Sequence, residues 1–150
     1  MPLSRTVIAE LVHRNVFSRR RPRTRRKLSR MELAGVHHIS INVADNDVAE
    51  RFYVEVLGLS KLPRPDFGFP GSWLSMNDGR QVHLIQVDGW TAPKGQHFAF
   101  RVTDLDGVRS ELAEAGVKVS EAMSIEGVGR QAFFKDPCGN LLELNEPIAA

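Results

Sequence analysis

From Gly35 to Val43 the chain alternates: Ile39, Ile41 and Val43 fall on one face, His38, Ser40 and Asn42 on the other. A period of two predicts a half-buried strand. Asp45 suits a helix N-cap, its carboxylate accepting a first-turn N–H. Val48, Phe52, Val56 and Leu57 then form an apolar helical stripe with Tyr53 at its edge, and Gly58 ends it. Leu59–Leu62 starts a second strand, cut short by Pro63 and Pro65. Trp73–Met76 and Gln81–Val87 read as a hairpin around Asn77-Asp78-Gly79. The same order follows again. Gln96–Val102 is a strand, Asp104 a cap, Leu105, Val108, Leu112 and Ala115 a stripe, and Gly116 its stop. Val117–Val119, Gln131–Lys135 and Leu141–Asn145 are strands, the last two joined by Asp136-Pro137-Cys138-Gly139.

Each half therefore reads β-α-β-β-β, with residues 88–94 as linker. The predicted class is α+β: one domain, 35–147, made of two tandem βαβββ modules (35–87 and 95–147) that gather into a curved mixed sheet. Neither half has a thick core of its own, which is why the sheets are expected to pair. The concave face would carry the polar side of the strands.

The repeat extends to individual side chains. His-Ile-Ser-Ile-Asn-Val-Ala-Asp at 38–45 answers His-Phe-Ala-Phe-Arg-Val-Thr-Asp at 97–104, an offset of 59 residues. Gly58 answers Gly116, and His83 answers Glu143. Thus His38, His83, His97 and Glu143, all residue types that bind metals, occupy equivalent positions of the two modules. Each interrupts an apolar pattern: His83 stands between Val82 and Leu84, Glu143 between Leu142 and Leu144. One histidine so placed is an ordinary core or edge residue; four ligand-type residues in register point to a metal centre. Imidazole favours Fe, Co, Ni, Cu or Zn over Mg or Ca, and the carboxylate adds a hard oxygen. No cysteine joins the set, which argues against a closed structural zinc site. His37 is expected to face away from His38, and His13 lies in the tail. Arg64, Arg101 and Arg130 are candidate anion contacts, each weighed against a plain surface role.

Composition refines this picture in two places. Cys138 is the only cysteine, so no intramolecular disulfide forms and a reducing, cytoplasmic setting is expected. The net charge of +2 averages two unlike pieces. Residues 1–30 carry ten Arg/Lys against Glu10 alone, whereas the rest carries ten Arg/Lys against seventeen Asp/Glu. The extension 1–34, with its run from Arg19 to Lys27, is expected to be disordered because dense like charges repel and bury nothing. It reads as a nucleic-acid arm, a transit peptide or a twin-arginine signal, the last lacking the apolar stretch that should follow. Alternatively it is upstream sequence read in frame, with Met31 as the true start. No apolar run is long enough to span a bilayer, so no membrane partner is expected. A nucleic-acid partner is not favoured.

The opening run His38-Ile39-Ser40-Ile41-Asn42-Val43-Ala44-Asp45, with Phe52-Tyr53 and Leu57-Gly58-Leu59, resembles the vicinal oxygen chelate superfamily. So does the closing run Phe134-Lys135-Asp136-Pro137-Cys138-Gly139-Asn140-Leu141-Leu142-Glu143-Leu144. That superfamily includes glyoxalase I, bleomycin- and fosfomycin-resistance proteins, methylmalonyl-CoA epimerase and extradiol dioxygenases. The resemblance covers Gly35 to Asn145 and is more specific for fold than for reaction. It places the family's four metal positions on His38, His83, His97 and Glu143, for a divalent Zn, Ni, Co, Mn or Fe ion. It also implies a homodimer in which one chain lends His38 and His83 and its partner His97 and Glu143. The stretches around Arg64-Pro65-Asp66-Phe67 and Gly71-Ser72-Trp73-Leu74 look most like glyoxalase I-like proteins.

The implied activity is a metal-dependent glyoxalase I-like lyase or isomerase acting on a small α-carbonyl compound or its thiol adduct, through a stabilised enediolate, with Glu143 as base. His83 departs from the Glu or Gln of well-known glyoxalases I at the second ligand position. The His/His/His/Glu set therefore keeps extradiol ring cleavage open. A non-catalytic antibiotic-binding protein and fosfomycin thiol transfer are further alternatives.

Overall fold

A computed structural model describes residues 32–148. The expectations for the basic tail and for His13 lie outside the described residues. Among the described residues, those from Gly35 onward form one compact unit.

The first module opens with β1 (His38–Val43), α1 (Asn46–Arg51) and a π-helical turn (Phe52–Val56). It continues through β2 (Ser60–Leu62), β3 (Gly71–Ser75) and β4 (Gln81–Gln86). The second holds β5 (His97–Arg101), α2 (Leu105–Glu114), β6 (Met123–Ile125), β7 (Gly129–Lys135) and β8 (Leu141–Pro147). The strands form two four-stranded mixed sheets of identical plan, β1-β4-β3-β2 and β5-β8-β7-β6. Within each, the first strand lies parallel to the fourth and the other pairs are antiparallel.

Period-two patterning sets which face is buried. On β4, Val82 and Leu84 are fully buried on either side of His83, and on β8 Leu142 and Leu144 flank Glu143. Tyr53, Leu74, Leu105 and Val43 are the other large side chains that are fully buried. Each such aliphatic side chain contributes about 1.5–3 kcal/mol by leaving water. The two predicted caps form as expected: Asp45 Oδ1 accepts from Val48 N at 3.0 Å and Asp104 Oδ1 from Gly107 N at 2.9 Å. A second, unexpected repeat of capping accompanies them. Gln86 Oε1 accepts from Asn46 N at 2.9 Å, and Glu146 Oε1 from Leu105 N at 3.0 Å.

Three local expectations are corrected. Val117–Val119 is not a strand: apart from Ser120 N donating to Phe133 O at 2.8 Å the ladder begins only at Met123. The first helix buries Asn46, Ala49 and Tyr53, leaving Val48 40% exposed. Its last turn widens, with Leu57 N donating to Phe52 O at 3.1 Å, so Tyr53 is the fully buried residue there, while Phe52, Val56 and Leu57 pack half-buried against the core. Ala115 is exposed at the end of α2. Gly58 does close the first helix, at φ +73°, with Leu59 N donating to Tyr53 O at 2.9 Å.

Polar side chains join the modules where β1 and α1 meet the β7–β8 turn. Tyr53 Oη donates to Asp136 Oδ2 at 3.2 Å, and Asn140 Nδ2 donates to the Asn42 carbonyl at 2.9 Å. Asp136 also accepts from the backbone of Cys138 and Asn140, so its buried carboxylate is fully engaged. Burial first, then that carboxylate, pushes the Tyr53 phenol far up, so it stays a donor.

Candidate metal centre

The strand register brings the four predicted ligands together as two pairs. In β1–β4, His38 pairs with Gln81, two residues before His83. In β5–β8, His97 pairs with Leu141, two residues before Glu143. Each pair thus spans the same diagonal of a parallel strand pair, on the face opposite the buried one. Among the described residues no three His, Cys, Asp or Glu side chains converge. The pairs stay separate, one on each sheet.

In the second pair His97 Nε2 lies 2.9 Å from Glu143 Oε2. Their other polar atoms are engaged: His97 Nδ1 meets the Gly95 carbonyl at 2.9 Å, and Asn145 Nδ2 donates to Glu143 Oε1 at 3.0 Å. With Nδ1–H donating to the Gly95 carbonyl, Nε2 either donates a proton to Glu143 Oε2 or, with an ion between them, turns its lone pair to that ion. Two donors bound to one ion at about 2.1 Å and a right angle stand roughly 3.0 Å apart. The pair fits an ion's coordination edge.

In the first pair the imidazoles stack, with centroids 4.2 Å apart and planes 13° from parallel. Burial, and then the neighbouring His38, His37 and Arg64, hold His83 below the usual histidine range. That favours the neutral imidazole, the form that binds metal. Gln81 Oε1 steadies His83 Nε2 at 2.8 Å. His37 does not face away as expected: its Nδ1 lies 3.0 Å from His38 Nδ1. It precedes β1, so strand alternation does not govern its direction.

Sequence reasoning missed an aromatic beside each pair. Trp73, cross-strand from His83, stacks on it at 4.6 Å and 14°. Phe133, cross-strand from Glu143, meets His97 edge to face at 5.5 Å. Their 60-residue offset, the same as between His83 and Glu143, was the signal available. Of the three arginines, Arg130 is committed to Asp106 at 2.8 Å and Glu146 at 3.2 Å. Arg101 stands four residues along β5 from His97, roughly 13 Å away. Arg64 lies over Phe67 and Phe69, 4.8 Å from each ring centre.

The sequence model of the Glyoxalase/Bleomycin resistance protein/Dioxygenase superfamily matches residues 35–144. The chain belongs to that superfamily. Metallothiol transferase FosB of Shouchella clausii is 28% identical over 120 residues, covering 74% of this chain and 79% of FosB. Glutathione transferase FosA of Serratia marcescens is 30% identical over 121 residues, covering 75% of this chain and 81% of FosA. The structure of a putative glyoxalase family protein from Bacillus anthracis superimposes with a TM-score of 0.71 at 24% identity. It covers 79% of this chain and 99% of its own, and shows the shared superfamily fold.

Proposed function

We propose that this superfamily member is a metal-dependent, glyoxalase I-like lyase or isomerase acting on a small α-carbonyl compound or its thiol adduct. The observation that carries this is the His97–Glu143 pair, whose Nε2 and Oε2 stand 2.9 Å apart while Gly95 and Asn145 occupy their other polar atoms. His38, His83, His97 and Glu143 would hold a divalent transition metal. When bound, the ion would polarise the substrate's oxygens as a Lewis acid. Glu143 would take a proton from one carbon and return it to its neighbour. Asn145 would keep the carboxylate aimed, and Trp73 and Phe133 would shield the face from water. Because the pairs lie on separate sheets, the centre would be completed by a homodimer, His38 and His83 of one chain facing His97 and Glu143 of the other.

A second reading, thiol transfer onto a metal-chelated substrate, draws on the transferase names of FosA and FosB. It needs the same ligands and no proton movement by Glu143.

The test is metal content after purification without chelator or tag nickel, beside a His97→Ala control. About one transition metal per chain, lost in the control, is expected. The hemithioacetal that methylglyoxal forms spontaneously with a thiol should then be isomerised to a thioester, and no isomerisation, with metal-dependent addition of the thiol to fosfomycin instead, would move the assignment to thiol transfer. Iron with catechol-dependent oxygen uptake would move it to ring cleavage. No metal bound or taken up on reconstitution would overturn the reading.

A further inference from the structure

The segment between β2 and β3, residues 63–70, has no counterpart of its kind in the second module, and it folds over the face that carries His38 and His83. On β3 the side chains sharing that face are Gly71, Trp73 and Ser75, since Trp73 pairs with His83 across the sheet. Phe67 leans on Trp73 at 5.9 Å and on Phe69 at 5.9 Å. The Arg64 guanidinium caps both phenylalanines. It lies where a side chain at residue 71 would go: a Cβ there would meet Arg64 Nη2 at 3.2 Å and Cζ at 3.3 Å. Gly71 thus leaves the space that Arg64 fills, two strand residues, roughly 7 Å, from Trp73.

Arg64 is half-buried, and among the described residues it has no carboxylate within 4.0 Å. Its hydrogen bond, to the Pro65 carbonyl, is long at 3.5 Å. Aromatic faces steady a guanidinium without neutralising it, so its charge and fork of donors stay available. The other arginines of the body near the two sheets' polar faces are either paired with acids or distant from the ligand pairs, as described above.

We propose that Arg64, braced by Phe67 and Phe69, is the specificity-determining residue that binds an anionic group of the substrate beside the His38–His83 half of the centre. The substrate class is then a small oxygen chelator whose carboxylate or phosphate stands a few carbons from its chelating oxygens. This rests on the proposed metal centre, and the experiment separates the two.

The metal-loaded protein is titrated calorimetrically with two probes sharing one chelating head, succinic monohydroxamic acid and butyrohydroxamic acid. Only the first bears a distal carboxylate. The carboxylate should tighten binding about tenfold or more, the effect of one charge-assisted contact. Arg64→Gln should erase that preference while leaving metal content and butyrohydroxamate affinity unchanged, and Arg64→Lys should restore part of it. The paired variant Phe67→Leu/Phe69→Leu should weaken the preference, with circular dichroism unchanged. Equal affinities in the native protein, or a preference that survives Arg64→Gln, overturns the proposal and leaves the metal centre standing. If the protein takes up no metal, the centre falls, and succinate alone is titrated by tryptophan fluorescence. Saturable binding lost in Arg64→Gln then supports the anion site, and no binding overturns it.

Discussion

Glu143 is a carboxylate in the interior of a strand, between two buried leucines, and only 5% exposed. A charge so placed is costly unless it is bonded, and His97 and Asn145 supply the bonds. As the proposed base, Glu143 acts through its ionised oxygen, while as a ligand it needs only an oxygen lone pair. Glu143→Gln separates the roles: turnover should fall about 10²- to 10⁴-fold. Metal content, measured by elemental analysis on the same preparations, should stay close to native. Activity retained in this variant would remove the base assignment and strengthen thiol transfer. The ligand-type residues were legible because each breaks an apolar alternation at a repeated position. Trp73 and Phe133 were not, because an aromatic in a strand satisfies the alternation and reads as ordinary core. Arg64 was legible only as one of three arginines, since its selection depends on contacts with Phe67 and Phe69 that no periodicity encodes.

At the scale of elements, α1 is fastened to the sheet by a polar set beneath it. Asn46 Nδ2 donates to Ser72 Oγ at 3.0 Å, the one Ser72 hydroxyl proton goes to Glu50 in the shortest of its contacts, and Lys61 on β2 meets Glu50 at 2.7 Å. Burial opposes ionisation of Glu50, but the bonds from Lys61 and Ser72 outweigh it and hold its carboxyl below 4.5. With a folded-state value below the unfolded one, the unfolded chain takes up the proton first. This contribution is therefore present above pH 4.5 and lost as pH falls through the folded value. Glu50→Gln should lower stability at neutral pH by no more than about 1 kcal/mol, since Lys61 is exposed. The difference from native should shrink in urea unfolding at acid pH. Tyr53→Phe tests the junction between modules: deleting a buried donor to Asp136 should cost about 1–3 kcal/mol at neutral pH, read by the same unfolding curves. Element order and most strand limits were legible because burial follows the period of two. The misplaced sixth strand shows where that logic stops. Val117 and Val119 are half-buried and alternate like a strand without pairing, whereas Met123–Ile125 pairs along an edge with every side chain exposed. Edge pairing is a backbone property, and side-chain pattern does not report it.

At the scale of the whole molecule, the sequence repeat predicted two equivalent modules, and the two sheets carry them out to the same strand order and the same ligand diagonal. What a single chain's pattern does not encode is which pair meets which. The two candidate arrangements make opposite predictions in a mixing experiment. One variant carries His38→Ala and His83→Ala, the other His97→Ala and Glu143→Ala, and each should be inactive alone. If the site joins the first module of one chain to the second module of its partner, a mixed dimer rebuilds one site with all four ligands and leaves the other with none. Random reassembly of equal amounts makes half the dimers mixed, each with half its sites intact, so about a quarter of native activity should return. Metal bound per chain should recover by the same fraction, which guards against a substrate chosen wrongly. If instead each site is built within one chain, mixing rescues nothing, because every chain still lacks one of its two ligand pairs.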